Sequence, residues 1–287
     1  HRKEKRQALL RQLLRDKDTP QESRYALILQ ATRQLKDENT DQIMAIFDDA
    51  LSVPQEDAGI YLVKAMLMAR HDFPRDEVNA VYRQALAVEP DNEMAQGLLV
   101  QNLAEEERFD EIVDLCKTSL QYTPDNQQLC YFEGFSLFQL KRNDEALASL
   151  QKTVELRDEE SDSGMMADCY SLMGEIYREK GMDKACYEAY DSCLHYAPDN
   201  VGALNNYAYY LSLDSAADLQ KAEQMSLKAV QKEPDNATFL DTYAWILFKE
   251  KRYDDAKTIA ERAIASDSTL SSVVVEHCGD IFYMAGD

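Results

Sequence analysis

Glycine and proline are scarce in this chain, nine and seven of 287 residues, which excludes collagen-like and Pro/Gly-rich low-complexity organisation. No apolar run is long enough to span a bilayer, so no membrane span is expected. Positive charge is also in deficit. Lys and Arg number 31 against 53 Asp and Glu, a net charge of −22, and such a chain repels phosphate backbones. Nucleic acid is therefore not expected as a partner, and basic or neutral proteins are favoured. The chain begins at His1 rather than Met, so the lack of a signal peptide carries no information, and cytoplasm and periplasm both stay open.

Catalytic motifs are missing as well. There is no Gly-x-Ser-x-Gly elbow, no phosphate-cradling glycine loop and no His-Glu-x-x-His pair, so the chain reads as a non-enzyme without a cofactor. The histidines are scattered, and His71, His195 and His277 are placed near helix ends or turns, where capping or solvent contact is expected of them. Six cysteines show no Cys-x-x-Cys spacing, and no metal site is read from them. They are expected inside helices as small apolar residues. The stretch Asp158 to Gly164 alternates acids, but its bend Gly is displaced and Cys169 stands where a calcium loop needs Glu, so a solvated loop is expected.

What the chain does contain is a ruler. Pro90-Asp91-Asn92, Pro124-Asp125-Asn126, Pro198-Asp199-Asn200 and Pro234-Asp235-Asn236 recur at steps of 34 (124 − 90), 74 (198 − 124, or 34 + 40) and 36 (234 − 198). Such a period marks a stacked repeat. Within each unit apolar residues fall three and four apart, interrupted halfway by Gly or a charged turn, which predicts two amphipathic helices. Each would be roughly 13 residues, about 20 Å long and too short to stand alone, so stacking must hold them. Proline closes one unit, and the Asp or Asn after it can accept hydrogen bonds from the first free amides of the next helix.

The internal positions resemble those of a tetratricopeptide repeat (TPR) protein, of the kind found as bacterial arrays, whose pattern wants small residues at positions eight, twenty and twenty-seven. Position eight holds Gly134, Gly174, Ala208, Ala244 and Gly279; position twenty holds Ala146, Cys186, Ala222 and Ala256. Position twenty-seven reads Ala85, Ser119, Thr153, Cys193, Ala229 and Ala263, and bulkier Tyr177, Leu211, Leu247 and Phe282 stand at position eleven. Earlier units depart, with Met66 and Val100 at position eight and Val78 and Ile112 at position twenty, so their helix pairs are expected to sit wider apart. The resemblance implies an all-α fold, an α-solenoid of antiparallel helix pairs forming a right-handed superhelix. Units are expected at 24–57, 59–92, 93–126, 127–160, 167–200, 201–236 and 237–270, with an incomplete last one inside an array spanning 24–287. Insertions of six residues near 158–164 and two near 212–217 should lengthen loops. Residues 1–23 are read as an amphipathic helix, a cap or a remnant of a preceding repeat, with seven basic residues between 2 and 17 interleaved with Leu9, Leu10, Leu13 and Leu14. Both chain ends lead us to expect a fragment of a longer protein.

The resemblance further implies a concave face lined by first helices, from the second, fifth, ninth, twelfth and thirteenth positions of each unit. Those positions give Asn205, Tyr209, Asp241, Trp245, Phe248, Lys249, Asp280 and Tyr283, and upstream Tyr131, Phe135, Glu175 and Arg178. Aromatic area beside short polar groups suits recognition of an extended chain or a docked helix. The Lys and Asn clamp with which some TPR domains hold chaperone tails is not matched, since fifth positions read Val63, Gly97, Tyr131, Ser171, Asn205 and Asp241. The expected function is a non-enzymatic scaffold or adaptor binding a peptide or protein in that groove. The alternatives are a self-associating structural component, with a homodimer through Val273, Val275, Ile281 and Phe282, or the scaffold part of a larger enzyme or assembly factor.

Overall fold

Asparagine starts the regular helices. In the computed structural model, which describes residues 1–34, 39–267 and 269–286, the side chains of Asn92, Asn126, Asn200 and Asn236 accept hydrogen bonds from the backbone N–H groups of Ala95, Leu129, Ala203 and Phe239. Each fixes an otherwise orphaned donor at a helix N-terminus. Residues 35–38 of the first expected repeat lie outside the described residues.

The described residues form sixteen helices and no strand. They fall into two compact units, His1–Arg157 and Asp158–Asp287. The first unit holds α1 (Arg2–Arg15), α2 (Gln21–Gln34), α3 (Thr40–Leu51), α4 (Gly59–Arg70), α5 (Arg75–Val88), α6 (Glu93–Glu105), α7 (Phe109–Ser119), α8 (Gln127–Gln139) and α9 (Asn143–Glu155). The second holds α10 (Ser163–Glu179), α11 (Asp183–Tyr196), α12 (Val201–Leu213), α13 (Leu219–Lys232), α14 (Ala237–Lys249), α15 (Tyr253–Ser266) and α16 (Ser272–Met284). Consecutive helices pack as antiparallel pairs, and within each unit a first helix also meets the next first helix, α6 with α8, α12 with α14 and α14 with α16. This is the solenoid logic of nearest-neighbour stacking.

Small residues let the pairs close. Ala146, Cys186, Ala222 and Ala256 are fully buried, and so are Ala85, Thr153, Cys193, Ala229 and Ala263. At Gly134 a Cβ would lie 2.7 Å from Leu150 Cγ, and at Gly174 one would lie 2.8 Å from the Tyr190 ring, so these two crossings are too tight for any side chain. Gly279 is different, with open space where its Cβ would be. The turn inside a pair bends through a left-handed residue at Asp72, Glu107, Lys141, Gly181 and Lys251, a recurring feature that glycine occupies just once in this series.

Two expectations need correction. Met66 is 51% exposed, and Ala65 supplies the buried small contact of α4. No Pro-Asp-Asn precedes this helix, yet its N-cap Ala58 stands 34 residues before Asn92 (92 − 58), so its start keeps the ruler and only the buried small residue differs, Ala65 in place of Met66. The six-residue insertion goes only partly into a loop: the α9–α10 connection, 156–162, has seven residues against four at 197–200 and at 233–236. Asp162 accepts from Met165 N and starts α10 early, so four of the added residues (17 − 13) become an extra turn relative to α8 or α12. The two-residue insertion does appear as a loop, 214–218.

In the first unit α1 packs on α3 and α2, with Leu14 in the core beside Ile28, Ile43 and Phe47. Asp49 of α3, itself nearly buried, receives Arg11 Nε at 2.5 Å and Arg15 Nε at 2.6 Å, tying the basic face of α1 to the stack.

Candidate interaction site

The first helices of the second unit bring a group of polar and aromatic side chains to their shared face. Asn205 and Asp241 are the fifth residues of α12 and α14, because each helix starts directly after its capping Asn. Both are 5% exposed. On α16, His277 is 7% exposed, and its Nδ1 lies 2.9 Å from Asp241 Oδ2. An ionised carboxylate only accepts, so this nitrogen carries the proton and donates it.

Around that bond the aromatics close in. The Trp245 ring stacks on the His277 imidazole, centroids 4.1 Å apart at 17°, and on Phe248 at 5.0 Å. Tyr209, one turn beyond Asn205, places its ring 5.9 Å from His277. Lys249 is exposed and holds its ammonium 5.1 Å over the Trp245 ring, a cation–π contact at the rim. Burial first, and the charge of Asp241 second, push the Tyr209 phenol up.

Three buried polar atoms here have no hydrogen-bond partner: Asn205 Oδ1, Asp241 Oδ1 and Trp245 Nε1. Each such atom costs about 1–3 kcal/mol while it is left unpaired; the two oxygens call for donors and the indole N–H for an acceptor.

Other groove candidates are placed differently. Glu175 of α10 accepts from Tyr190, from Tyr210 at 2.8 Å and from Asn206 Nδ2 at 3.3 Å, so its carboxylate serves an internal network. Burial first, and the Glu175 charge and hydrogen bonds second, push the Tyr190 and Tyr210 phenols up. Arg178 lies 4.9 Å over the Tyr210 ring and 3.2 Å from Asp183. Asp280 is exposed and Tyr283 is 78% exposed, both on α16 beyond the His277 cluster. Tyr131 and Phe135 lie in the first unit, where they pack on each other at 6.2 Å, and Phe135 meets Phe109 at 5.9 Å.

No protein-family profile matches the chain, and no curated protein sequence does either. Solved structures do. PilF of Pseudomonas aeruginosa aligns at TM-score 0.61 with 14% identity, over 78% of this chain and 97% of that one. YrrB, a TPR protein described as having an unusual peptide-binding site, aligns at 0.58 with 11% identity, over 69% of this chain and 97% of that one. Cut9, from the APC/C hetero-tetramer Cut9–Hcn1, aligns at 0.55 with 12% identity, over 96% of this chain and 54% of that one. This chain has the fold of a tetratricopeptide-repeat array.

Within the array His277 is the residue that sequence reasoning misplaced. It lies mid-helix, buried and central, rather than at a turn. Its signal was present in the spacing: Asn205, Asp241 and His277 are each 36 residues apart (241 − 205 and 277 − 241), the same step as the last two prolines. Ile281, offered as part of an exposed apolar end, is instead fully buried with Ala244, Leu247 and Cys278, and Phe282 is half-buried against them. The six cysteines are free and buried; burial pushes the Cys130 and Cys193 thiols to about 11 and Cys169 and Cys186 to about 12, so the TPR core keeps them protonated. No group of three metal-ligating side chains occurs among the described residues, and none of their helices is long and apolar enough to cross a membrane.

Proposed function

We propose that this array is an interaction scaffold that binds a peptide segment of a partner protein on the first-helix face of α12, α14 and α16. The observation that carries the reading is the set of unpartnered buried atoms on Asn205, Asp241 and Trp245, a pattern suited to an occupant bringing its own hydrogen-bonding groups. The likeness to YrrB, described as a peptide-binding TPR protein, supports the same reading. Tyr209, Phe248 and Lys249 supply the half-buried and exposed contact area around the polar centre. Trp245 contributes through its ring edge and N–H, because its face is already stacked on His277.

Trp245 is the only tryptophan in the chain, so its emission reports on this face without a label. Titration with capped random nonapeptides should change that emission saturably, and Asp241→Asn or Asn205→Ala should weaken the response. A flat titration across diverse pools, with the fold intact, would count against the groove.

Self-association is the second reading. It is favoured by the exposure of Val273, Val275, Tyr283 and Met284 on α16. Sedimentation at high concentration tests it directly, and a monomer throughout would remove it.

A further inference from the structure

We infer that the centre of this face takes a cationic group, the guanidinium or ammonium of a basic residue in the bound peptide. The inference rests on the peptide-binding reading above and names the side chain it selects. Two of the three unpartnered atoms, Asn205 Oδ1 and Asp241 Oδ1, are acceptors, so the occupant has to donate. The Asn205 amide nitrogen is turned to Asn206 Oδ1 at 3.5 Å, which leaves the oxygen free for the site.

Charge decides between a neutral and a cationic donor. Asp241 is buried with one oxygen on His277 and the other on nothing, and a buried carboxylate left half-satisfied gains far more from a charged donor than from an amide. The local field has the same sign. Asp241 and Glu276 both act on the Tyr209 phenol to raise it, opposed by Arg178 alone among the charges that reach it. Arg178 is engaged with Asp183 and the Tyr210 ring, and Lys249 lies over Trp245. A guanidinium also suits the chemistry because its several coplanar N–H groups can donate to more than one acceptor. The net charge of −22 adds long-range attraction for basic segments.

The test uses capped nonapeptide pools, random except for a fixed central residue: Arg, Lys, citrulline, norleucine or Glu. They are titrated against the full chain at high ionic strength, where diffuse attraction is screened, with Trp245 emission as readout. The Arg and Lys pools should bind about tenfold more tightly than the citrulline and norleucine pools, equivalent to ~1.4 kcal/mol. Asp241→Asn, nearly isosteric, should erase that preference, and Asn205→Asp should widen it. Circular dichroism confirms that each variant folds, and the second variant keeps the test open if the first does not. Equal binding by all five pools would overturn the cationic assignment while leaving peptide binding standing. Silence from every pool would overturn both.

Discussion

The His277 imidazole donates to Asp241 across 2.9 Å while its ring stacks on Trp245, so one residue of α16 joins α14 by both a hydrogen bond and an aromatic contact. Removing it with His277→Ala leaves the buried Asp241 carboxylate with neither oxygen paired. We expect a loss of about 3 kcal/mol in the stability of this end of the second unit. Trp245 emission during urea unfolding measures it, and the double variant with Asp241→Asn should cost less than the sum of the two single changes. Additive losses would show that the two side chains are not coupled.

Two glycines at equivalent positions should respond with opposite signs. Gly174→Ala forces a Cβ to 2.8 Å from Tyr190, and overpacking of this kind costs about 1–3 kcal/mol. Gly279→Ala meets nothing within 4 Å and should stabilise α16 by up to about 1 kcal/mol through helix propensity alone. Thermal melts of the two variants, shifted down and up respectively, are the check.

Acid should release α1. Burial pushes Asp49 up, but hydrogen bonds from Arg11 and Arg15 outweigh it, and the carboxyl is held below its ordinary range. A depressed folded value contributes stability that is complete above the unfolded carboxylate value, about 3.9, and is lost as pH falls through the folded one. Both arginines are about half exposed, so screening limits the effect to roughly 1–2 kcal/mol. Hydrogen-exchange protection factors over residues 8–14, corrected for the intrinsic rate at each pH, should fall below about pH 4. In Asp49→Asn protection should be low already at neutral pH, with no further loss in acid.

The repeating tripeptide divides its roles unequally. Asn236 caps α14, whereas no hydrogen bond connects Asp235 to that helix start. Asn236→Ala should therefore cost about 1 kcal/mol, and Asp235→Ala should stay within about 0.5 kcal/mol of the parent. Equal effects in denaturant melts would refute the division.

The fold could be read from residues because its determinants are local. Proline and the following Asn recur at the period of a helix pair, and Ala146, Cys186 and Ala222 mark the close crossings by their size alone. Reading failed where the marker was missing. In α4 no tripeptide marks the start and position eight holds the large Met66, which is exposed while the neighbouring Ala65 is buried. The loop expected near 158–164 ends at Asp162, which caps α10 and makes helix of the residues from 163 onward, a choice between two local structures of similar cost.

The face of the first helices was legible in part. Asn205, Asp241 and Trp245 could be assigned to one side of their helices by position. Spacing cannot tell how deeply a side chain sits or which neighbour it meets. Glu175 looked equally open and is held instead by Tyr190, Tyr210 and Asn206.

Sequence by itself determined the helices, their pairing and most of their starts, because caps, turns and small packing residues act within one unit of the chain. Tertiary packing alone decided that Asp241 would be sunk beside His277 with one oxygen unpaired, and that Trp245 would spend its face on the same imidazole. Those contacts join residues 32 and 36 apart (277 − 245 and 277 − 241) through the stacking of neighbouring first helices, and their distances depend on how closely those helices approach.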